Sequence, residues 1–406
     1  RSTGCGFFIS AAPGGSSSRS TSKYRSTPWP SWNSMRWSPP SPFYGVDAPG
    51  DRCYASTGTE RRQEQTMNQS MTIGIDLAKH IFFVAALDGS GKPARRKKLR
   101  RHEVLPFLAN HPGAVVGMEA CSGAHHWARK IRALGHSVQL LPAQHVKAYL
   151  RGQKNDYNDA LAIAEAVQHG RIRCVEIKTV DQQLDQSLHR LRQALVTEQT
   201  GLINRTRALL AEHGVDLPEG KQRFRQAVIA QLEDAENGLP WRLRELLGRQ
   251  YQLFIALEQE LAWYEREIKT KAAENEACQR LMSVPGYGPI VSSAFYGWLG
   301  SGQQFRCGRD VAAALGLVPK QYSTGGKTVL GSISKRGDRH LRALLVHGAR
   351  AVARYAKERD DRLSRWVCSL IERRGYNKAV VALANKLARI GWAVVARGQP
   401  YQAVPA

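Results

Sequence analysis

The sequence predicts an α/β domain, then a long helical coiled-coil middle, then a mostly α-helical C-terminal domain. Three observations indicate this class. Short apolar runs alternate with helical segments up to Gly170, two long segments with heptad-like apolar spacing follow, and short helical segments joined by glycine-rich basic loops come last. We place the three domains at residues 67–178, 179–275 and 276–395, with a tail over residues 396–406.

Residues 1–66 are rich in Ser, Pro, Gly and Arg and lack hydrophobic periodicity, so we predict a disordered, low-complexity extension. The ordered pattern begins after Met67 and Met71. We therefore expect the extension to be upstream sequence translated from a misplaced start, with an unusual basic tail as the alternative. No clean apolar stretch follows its basic residues, which argues against a signal peptide.

The composition is strongly basic, because 59 Lys and Arg outnumber 34 Asp and Glu among 406 residues, for a formal net charge of +25. Such a charge favours a polyanionic partner, nucleic acid first, since each phosphate that Lys or Arg neutralises releases bound counterions. No apolar run approaches the roughly 20 residues that span a bilayer, so we expect no membrane association. The seven cysteines form no CxxC pair, which argues against zinc and disulfides and favours the cytoplasm.

The α/β domain begins with the runs TIGIDLA, FFVAALD and KPARRKKLR, which predict a three-strand meander with a GSGK turn. The apolar runs AVVGMEA and SVQLLPA flank the helical segment HHWARKIRAL, and this order predicts a parallel βαβ unit. The segment DYNDALAIAEAVQHG predicts a helix that ends at Gly170, a typical C-cap.

Two apolar stripes predict the long helices of the middle domain. The first comprises Leu184, Leu188, Leu191, Leu195, Leu202 and Leu209, and the second comprises Leu243, Leu247, Phe254, Leu257, Leu261, Tyr264 and Ile268. Heptad-like spacing lets such helices pack as a hairpin within one chain or pair between chains. We expect an assembly element, and packing within one chain is the equal alternative.

Four carboxylates are candidate metal ligands. Asp76 lies in the first predicted strand and Glu119 ends the fourth, at the strand ends where α/β proteins bind ligands. Asp156 and Asp159, three residues apart, share one helix face. Four converging acids need divalent cations, and hard oxygen ligands suit Mg²⁺ or Mn²⁺ held against substrate phosphates. Taken alone, the last pair is also typical of a helix N-cap with acids in the first turn.

A serine stands in a glycine-rich basic stretch, GLVPKQYSTGGKTVLGSISKRGDRHLR. Ser323 is a candidate nucleophile, with a turn serine in a phosphate-binding loop as the alternative. Glycine amides can approach phosphates closely, and basic side chains stabilise the charge of the transition state. The candidate nucleic-acid contacts in this stretch are Gly325, Gly326, Lys327, Lys335, Arg336, Arg339 and Arg342.

Further candidate nucleic-acid contacts lie in two other stretches. Lys154, in the basic RGQK before the paired acids, is expected to steer a phosphate backbone towards the metal. The stretch VPGYGP contains Gly286 and Gly288 and is similar to a helix-hairpin-helix turn, whose amides hold a phosphate without reading bases. A tight turn between packed helices is the alternative.

The motifs GIDLAK, MEACSG and KNDYNDA occur in this order on the predicted elements. They resemble the RuvC-type, RNase H-like domain of the transposases of insertion sequence family 110, whose relatives include the Piv-type DNA invertases. The resemblance implies an Asp-Glu-Asp-Asp metal site that binds Mg²⁺ or Mn²⁺. It maps onto Asp76, Glu119, Asp156 and Asp159.

The motifs VPGYGP, LGLVP, YSTGGK and SKRGDRHLR resemble the C-terminal transposase domain of the same family. In that family a serine becomes covalently joined to DNA, which implies this role for Ser323. The chain departs from the family's Ser-Gly pattern because Thr324 follows the serine. Thr324, Ser332 and Ser334 are therefore the fallback nucleophiles.

The resemblance implies a transposase or site-specific recombinase that cleaves and exchanges DNA strands. Its implied partners are the element ends and target DNA and a guide RNA encoded by the element. The heptad-like helices and the separation of the domains predict a homodimer or tetramer. We expect the protein in the bacterial cytoplasm, at the nucleoid. The alternatives are a Piv-like invertase, a RuvC-like metal nuclease without a covalent step, and a nucleic-acid chaperone; an actin-like ATPase would need a second phosphate loop, which we do not find.

Overall fold

The computed structural model describes residues 71–153 and 155–405. The predicted extension over residues 1–66 and the predicted contact Lys154 lie outside these described residues.

A five-stranded mixed sheet forms the centre of the N-terminal part. Its strands are β1 (Thr72–Asp76), β2 (Ile81–Leu87), β3 (Pro93–Arg100), β4 (Val115–Glu119) and β5 (Ser137–Leu141), in the order β3-β2-β1-β4-β5. The first three strands pair antiparallel, whereas β1 with β4 and β4 with β5 pair parallel. The predicted meander and the predicted parallel unit are both confirmed. The basic strand β3 is exposed along most of its length, as suits an edge strand that must not pair further.

Four helices accompany this sheet: α1 (Val104–Ala109), α2 (Ala124–Ala133), α3 (Ala143–Val146) and α4 (Asp156–His169). The Asn155 side chain caps α4 by accepting a hydrogen bond from the Tyr157 amide. Gly170 ends the helix in the left-handed conformation, with φ of 62°, which confirms the predicted C-cap.

The middle of the chain contains α5 (Val180–Ala211), α6 (Lys221–Glu233) and α7 (Trp241–Glu274). The helices α5 and α7 run antiparallel, and they enclose a core to which α6 contributes Phe224 and Val228. Mixed α/β structure followed by a mostly helical remainder is therefore confirmed. The predicted stripe on α5 is only partly buried: Leu202 is inside, whereas Leu184, Leu191 and Leu209 are exposed.

The C-terminal part consists of helices around one core and a small hairpin. Its elements are α8 (Glu276–Met282), α9 (Pro289–Leu299), α10 (Gly308–Ala314), β6 (Pro319–Thr324), β7 (Lys327–Ile333), α11 (Arg339–Arg354), α12 (Arg362–Arg374) and α13 (Tyr376–Arg397). We expected only glycine-rich loops between helices, and this is wrong at β6 and β7, which form an antiparallel two-stranded sheet. Both strands are almost entirely exposed, so no apolar alternation marked them.

Helix α13 is long and apolar enough to cross a membrane by length and composition alone. Its apolar side chains nevertheless pack into the C-terminal core, including those of Val380, Leu383 and Leu387. Burial in a protein core accounts for this composition.

The segment over residues 171–179, called the strap below, joins the sheet to the C-terminal helices. The Val175 amide bonds the Leu140 carbonyl of β5, which adds the strap to the sheet edge. Arg173 forms a 2.9 Å salt bridge with Asp310, and the Lys178 ammonium donates to the Gly297 carbonyl. The strap therefore fixes the sheet against helices more than a hundred residues away in the sequence.

Candidate functional site

Asp76 and Glu119 are the last residues of β1 and β4, and they lie at the same edge of the sheet. The two strands are parallel neighbours, with Ile75 opposite Met118, so Asp76 and Glu119 follow side by side. Asp156 and Asp159 lie in the first turn of α4, which packs against β1. Carboxylate oxygens of Asp76, Asp156 and Asp159 all lie within 4.8 Å of one another.

A pair of glycines lets α4 come this close to the sheet. Gly74 and Gly117 are direct neighbours on β1 and β4. A Cβ atom on Gly74 would stand 2.1 Å from the Ala160 carbonyl oxygen, and one on Gly117 would stand 2.3 Å from a methyl of Val167. Because side chains alternate along a strand, each glycine shares a face with the acid two residues later.

We did not single out these glycines in the sequence, although the signal was there. Each acid follows a glycine by two residues, as GID and GME. Glycine inside a strand marks a place where another backbone approaches closely. This spacing indicates which face of the sheet receives the helix that carries the other two acids.

The acids raise one another's proton affinity. Burial first, and then the neighbouring carboxylates of Asp159 and Asp156, raise the pKa of Asp76 to about 6. Burial, Asp76 and Asp159 likewise raise the pKa of Glu119, while the Lys147 ammonium opposes that rise. Within residues 71–153 and 155–405, no salt bridge involves Asp76, Glu119 or Asp156.

The donor set suits a hard divalent cation. Carboxylate oxygens are ligands that Mg²⁺ and Mn²⁺ prefer, and a cation would relieve the repulsion that raises the pKa of Asp76. The neighbouring Cys121 does not compete, because burial and the charges of Glu119 and Asp76 raise the pKa of its thiol to about 11. The acidic cluster is therefore compatible with divalent metal use.

Ser323 lies in strand β6, one residue before a tight turn. Gly325 and Gly326 have φ angles of 52° and 76°, so both central residues of this two-residue turn are in the left-handed region that favours glycine. The turn sets the register in which Ser323 faces Thr328. Gln321 Nε2 donates a hydrogen bond of 2.7 Å to Ser323 Oγ.

The fallback nucleophiles have different environments. Thr324 is adjacent to Ser323 on the strand, so its side chain lies on the opposite face of the hairpin. Ser334 is buried, and its hydroxyl accepts from the Arg336 amide. Ser332 is exposed on β7.

The basic residues after the hairpin surround a constrained turn. Lys335 has a φ of 55°, and among the described residues it is the one non-glycine with a positive φ. The Arg342 guanidinium donates to the carbonyls of Leu315 and Arg336 and so holds this turn. The side chains of Lys327, Lys335, Arg336 and Arg339 are exposed.

The predicted glycine turn lies between α8 and α9. Gly286 has a φ of 82°, and a Cβ atom there would stand 2.7 Å from the Gly348 carbonyl of α11. Close packing of this turn against α11 therefore requires a glycine at Gly286. Gly288 precedes α9 and has open space around it.

Comparison with known proteins identifies the family. Residues 278–364 match the family described as "Transposase IS116/IS110/IS902 family", and residues 73–214 match the DEDD transposase family of the IS110 type. The transposase for insertion sequence element IS1111A of Coxiella burnetii is 41% identical over 342 residues, covering 84% of this chain and 94% of its own. The transposase for insertion sequence element IS1328 of Yersinia enterocolitica is 42% identical, covering 80% and 97%.

The chain belongs to the IS110 family of insertion sequence transposases. In this transposase, the matched range 73–214 contains all four acids, and the matched range 278–364 contains Ser323 with the basic residues around it. Among the described residues, no hydrogen bond or ion pair joins Ser323 to the four acids.

Proposed function

We propose that this transposase cleaves and rejoins DNA strands at Asp76, Glu119, Asp156 and Asp159, with Ser323 as the nucleophile. One observation carries the proposal: carboxylates from a strand and from a helix eighty residues later come within 4.8 Å of one another. In a protein of net charge +25, three carboxylates this close together are an arrangement for binding a cation, because burial and their mutual repulsion raise the pKa of Asp76 to about 6.

Asp76, Asp156 and Asp159 would hold the cation, and Glu119 lies beside them. A bound Mg²⁺ or Mn²⁺ supplies charge stabilisation to a phosphate undergoing displacement. The chain's own contribution is the rigid placement of the acids, because Gly74 and Gly117 fix α4 against the sheet. The basic surface would bring the polyanion to this edge.

Ser323 would carry the covalent step. Its Oγ attacks the scissile phosphorus, an Oγ–P bond forms, and the bond between phosphorus and one sugar oxygen breaks. The proton of the hydroxyl ends on the departing sugar oxygen. Since one phosphodiester replaces another, the link stores the energy needed for rejoining, and no nucleotide triphosphate is required.

The nucleic-acid contacts proposed for the chain are Lys154, Gly286, Gly288, Gly325, Gly326, Lys327, Lys335, Arg336, Arg339 and Arg342. The exposed cations among them support phosphate contacts. Arg342 acts by holding the turn around Lys335, since its guanidinium already donates to two carbonyls.

Further parts of the proposal rest on the resemblance to the family. These are an RNase H-like N-terminal fold, which the mixed sheet supports, the domain limits 67–178, 179–275 and 276–395, and a guide RNA encoded by the element. Exposed leucines on α5 support pairing of copies into a dimer or tetramer. We place the protein in the bacterial cytoplasm.

Cleavage of a supercoiled plasmid that carries the element with both flanks, with Mg²⁺ and RNA transcribed from the non-coding sequence of the element, tests the proposal. Ser323→Ala should abolish the protein–DNA adduct that wild type forms, and Asp156→Asn should abolish strand cleavage. If Ser323→Ala cleaves as wild type does, the enzyme is a metal nuclease without a covalent step. If Asp156→Asn also cleaves normally, neither site has the proposed role.

A further inference from the structure

The hydroxyl of Ser323 is held by two neighbours on one face of the hairpin. Gln321 Nε2 donates to Ser323 Oγ over 2.7 Å, and Oγ in turn points its proton towards Thr328 Oγ1 at 3.5 Å. Within the part of the chain that the structure describes, these two side chains are the hydrogen-bond partners of Ser323. No carboxylate or imidazole bonds the hydroxyl there.

The strand register places the side chains of Gln321, Ser323 and Thr328 on one face of the hairpin. Ser323 pairs with Thr328, and directly paired residues share a face of an antiparallel ladder. Gln321 precedes Ser323 by two residues and therefore projects to the same face. The turn at Gly325 and Gly326 sets this register, and a slip of one residue would move the serine to the other face.

We propose that Gln321, assisted by Thr328, positions the Ser323 hydroxyl for attack on DNA and so sets the rate of the covalent step. This inference rests on the proposed role of Ser323 as nucleophile, and it adds a positioning residue that neither motif nor charge indicated. Gln321 acts through Ser323 and need not touch the DNA.

The chemistry of the carboxamide supports this role. A neutral amide cannot accept the serine proton, but its N–H occupies one lone pair of Oγ and leaves the other for phosphorus. As the Oγ–P bond forms and the proton moves to the departing sugar oxygen, charge builds transiently on Oγ. A fixed donor 2.7 Å away stabilises that charge without reorganising.

The opposite face of the same hairpin provides the control. Val329 on β7 is exposed and pairs with Tyr322, so it projects away from Ser323. Val329→Ala truncates an exposed side chain, as Gln321→Ala does, and leaves the Gln321 hydrogen bond in place. A change that merely disturbs the hairpin would affect both variants alike.

The experiment measures single-turnover formation of the protein–DNA adduct by the full-length protein, on the same plasmid with Mg²⁺ and the same RNA, together with DNA affinity. We expect Gln321→Ala to form the adduct about tenfold more slowly at unchanged affinity, the loss of one hydrogen bond worth roughly 1.4 kcal/mol. Val329→Ala should match wild type.

A pH series separates positioning from simple support of the hairpin. Gln321→Glu has the same shape, yet at about pH 7.5 its carboxylate cannot donate to Oγ. Its deficit relative to wild type should shrink as the pH falls towards about 4.3, the ordinary pKa of Glu, where about half of the side chains are protonated and can donate, whereas the deficit of Gln321→Ala should stay constant.

The outcomes are distinguishable. If Ser323→Ala still forms the adduct, the proposed nucleophile is wrong. If Ser323→Ala is inactive but Gln321→Ala reacts within about twofold of wild type, this inference alone is wrong. Loss of DNA affinity in Gln321→Ala, or an equal deficit in Val329→Ala, also overturns it, because the first result indicates a DNA contact and the second indicates a role in hairpin structure.

Discussion

The acid cluster and the β6–β7 hairpin that contains Ser323 differ in what fixes their geometry. The acids stand on elements of a packed core, and α4 is held against β1 and β4 by a glycine pair that admits no side chain. Ser323 stands on a two-stranded hairpin whose residues are almost all exposed, so its geometry depends on one turn and on the strand register.

Because of this difference, stability and chemistry are coupled at the acid cluster and independent at the hairpin. Repulsion among carboxylates costs the metal-free core free energy, and good packing elsewhere offsets that cost. The hairpin contributes little to the core, and an isolated two-stranded hairpin is marginally stable in water. Changes at the acids should therefore alter both folding and chemistry, whereas changes near Ser323 should alter chemistry alone.

The largest expected effect is on chemistry at α4. Asp156→Asn keeps the shape of the side chain but removes one charge from the cluster, so strand cleavage should fall about 10³-fold or more. DNA affinity should stay equal or increase, because a repulsive charge is lost. The exposed Asp216→Asn is the matched control, and equal loss in both variants would show that the effect is not specific to the cluster.

The next effect is on the packing that brings the acids together. Gly74→Val should lower the free energy of unfolding by about 3 kcal/mol, because a Cβ atom would overlap the Ala160 carbonyl at 2.1 Å. Urea unfolding measures it. Gly331→Ala is the control, since a Cβ atom on that strand glycine meets nothing closer than 3.7 Å. A Gly74→Val protein as stable as wild type would contradict the close approach of α4.

A smaller effect is expected in the strap. Burial first, and then the Arg190 guanidinium, lower the pKa of Lys178 to about 7, against the opposing charges of Asp338 and Glu176. The unfolded chain keeps this proton up to about pH 10.5, so the free energy of unfolding should rise between about pH 7 and that value.

Substitution by methionine tests this cost. At about pH 6, the free energy of unfolding of Lys178→Met should be about 2 kcal/mol higher than that of wild type. The variant should also lack the rise in stability between about pH 7 and 10.5. The Gly297 carbonyl keeps a donor, because the Gln186 amide also bonds it. The exposed Lys269→Met is the control. A variant less stable than wild type at about pH 6 would mean that the charged lysine is favourable.

The smallest effect concerns the repulsion among the acids when a chelator removes divalent cations. Asp76→Asn removes one of three close carboxylates, so in EDTA the variant should be about 1 kcal/mol more stable than wild type. Adding Mg²⁺ should raise the melting temperature of wild type and leave that of the variant nearly unchanged. Equal Mg²⁺ responses in both proteins would place the bound ion elsewhere.

The sequence alone predicted the strands of the N-terminal sheet and placed the four acids at strand ends and on one helix face. Strand alternation and the flanking turn residues marked β1 to β5, and the spacing of Asp156 and Asp159 indicated a shared face. Convergence within 4.8 Å could not be read from spacing, because it depends on how closely α4 packs on Gly74 and Gly117. That contact is between elements distant in the chain.

Two regions were not predicted correctly from the sequence, and each has a physical reason. The hairpin is exposed on both faces, so PKQYSTGGKTVLGSI has no apolar face and was interpreted as loop, although Gly-Gly between such runs is a typical hairpin turn. On α5 the leucine spacing suggested one buried stripe, yet His189, Gln199 and Thr206 are buried where α5 meets other elements. Periodicity does not say which neighbours a long helix meets.

Crystals of the full-length protein with DNA and Mn²⁺ would test the central claim directly through anomalous scattering. The account predicts Mn²⁺ density bounded by the carboxylates of Asp76, Asp156 and Asp159, with Glu119 adjacent, and no such density in the Asp76→Asn protein. Wild-type crystals with DNA bound and no Mn²⁺ among these carboxylates would contradict it.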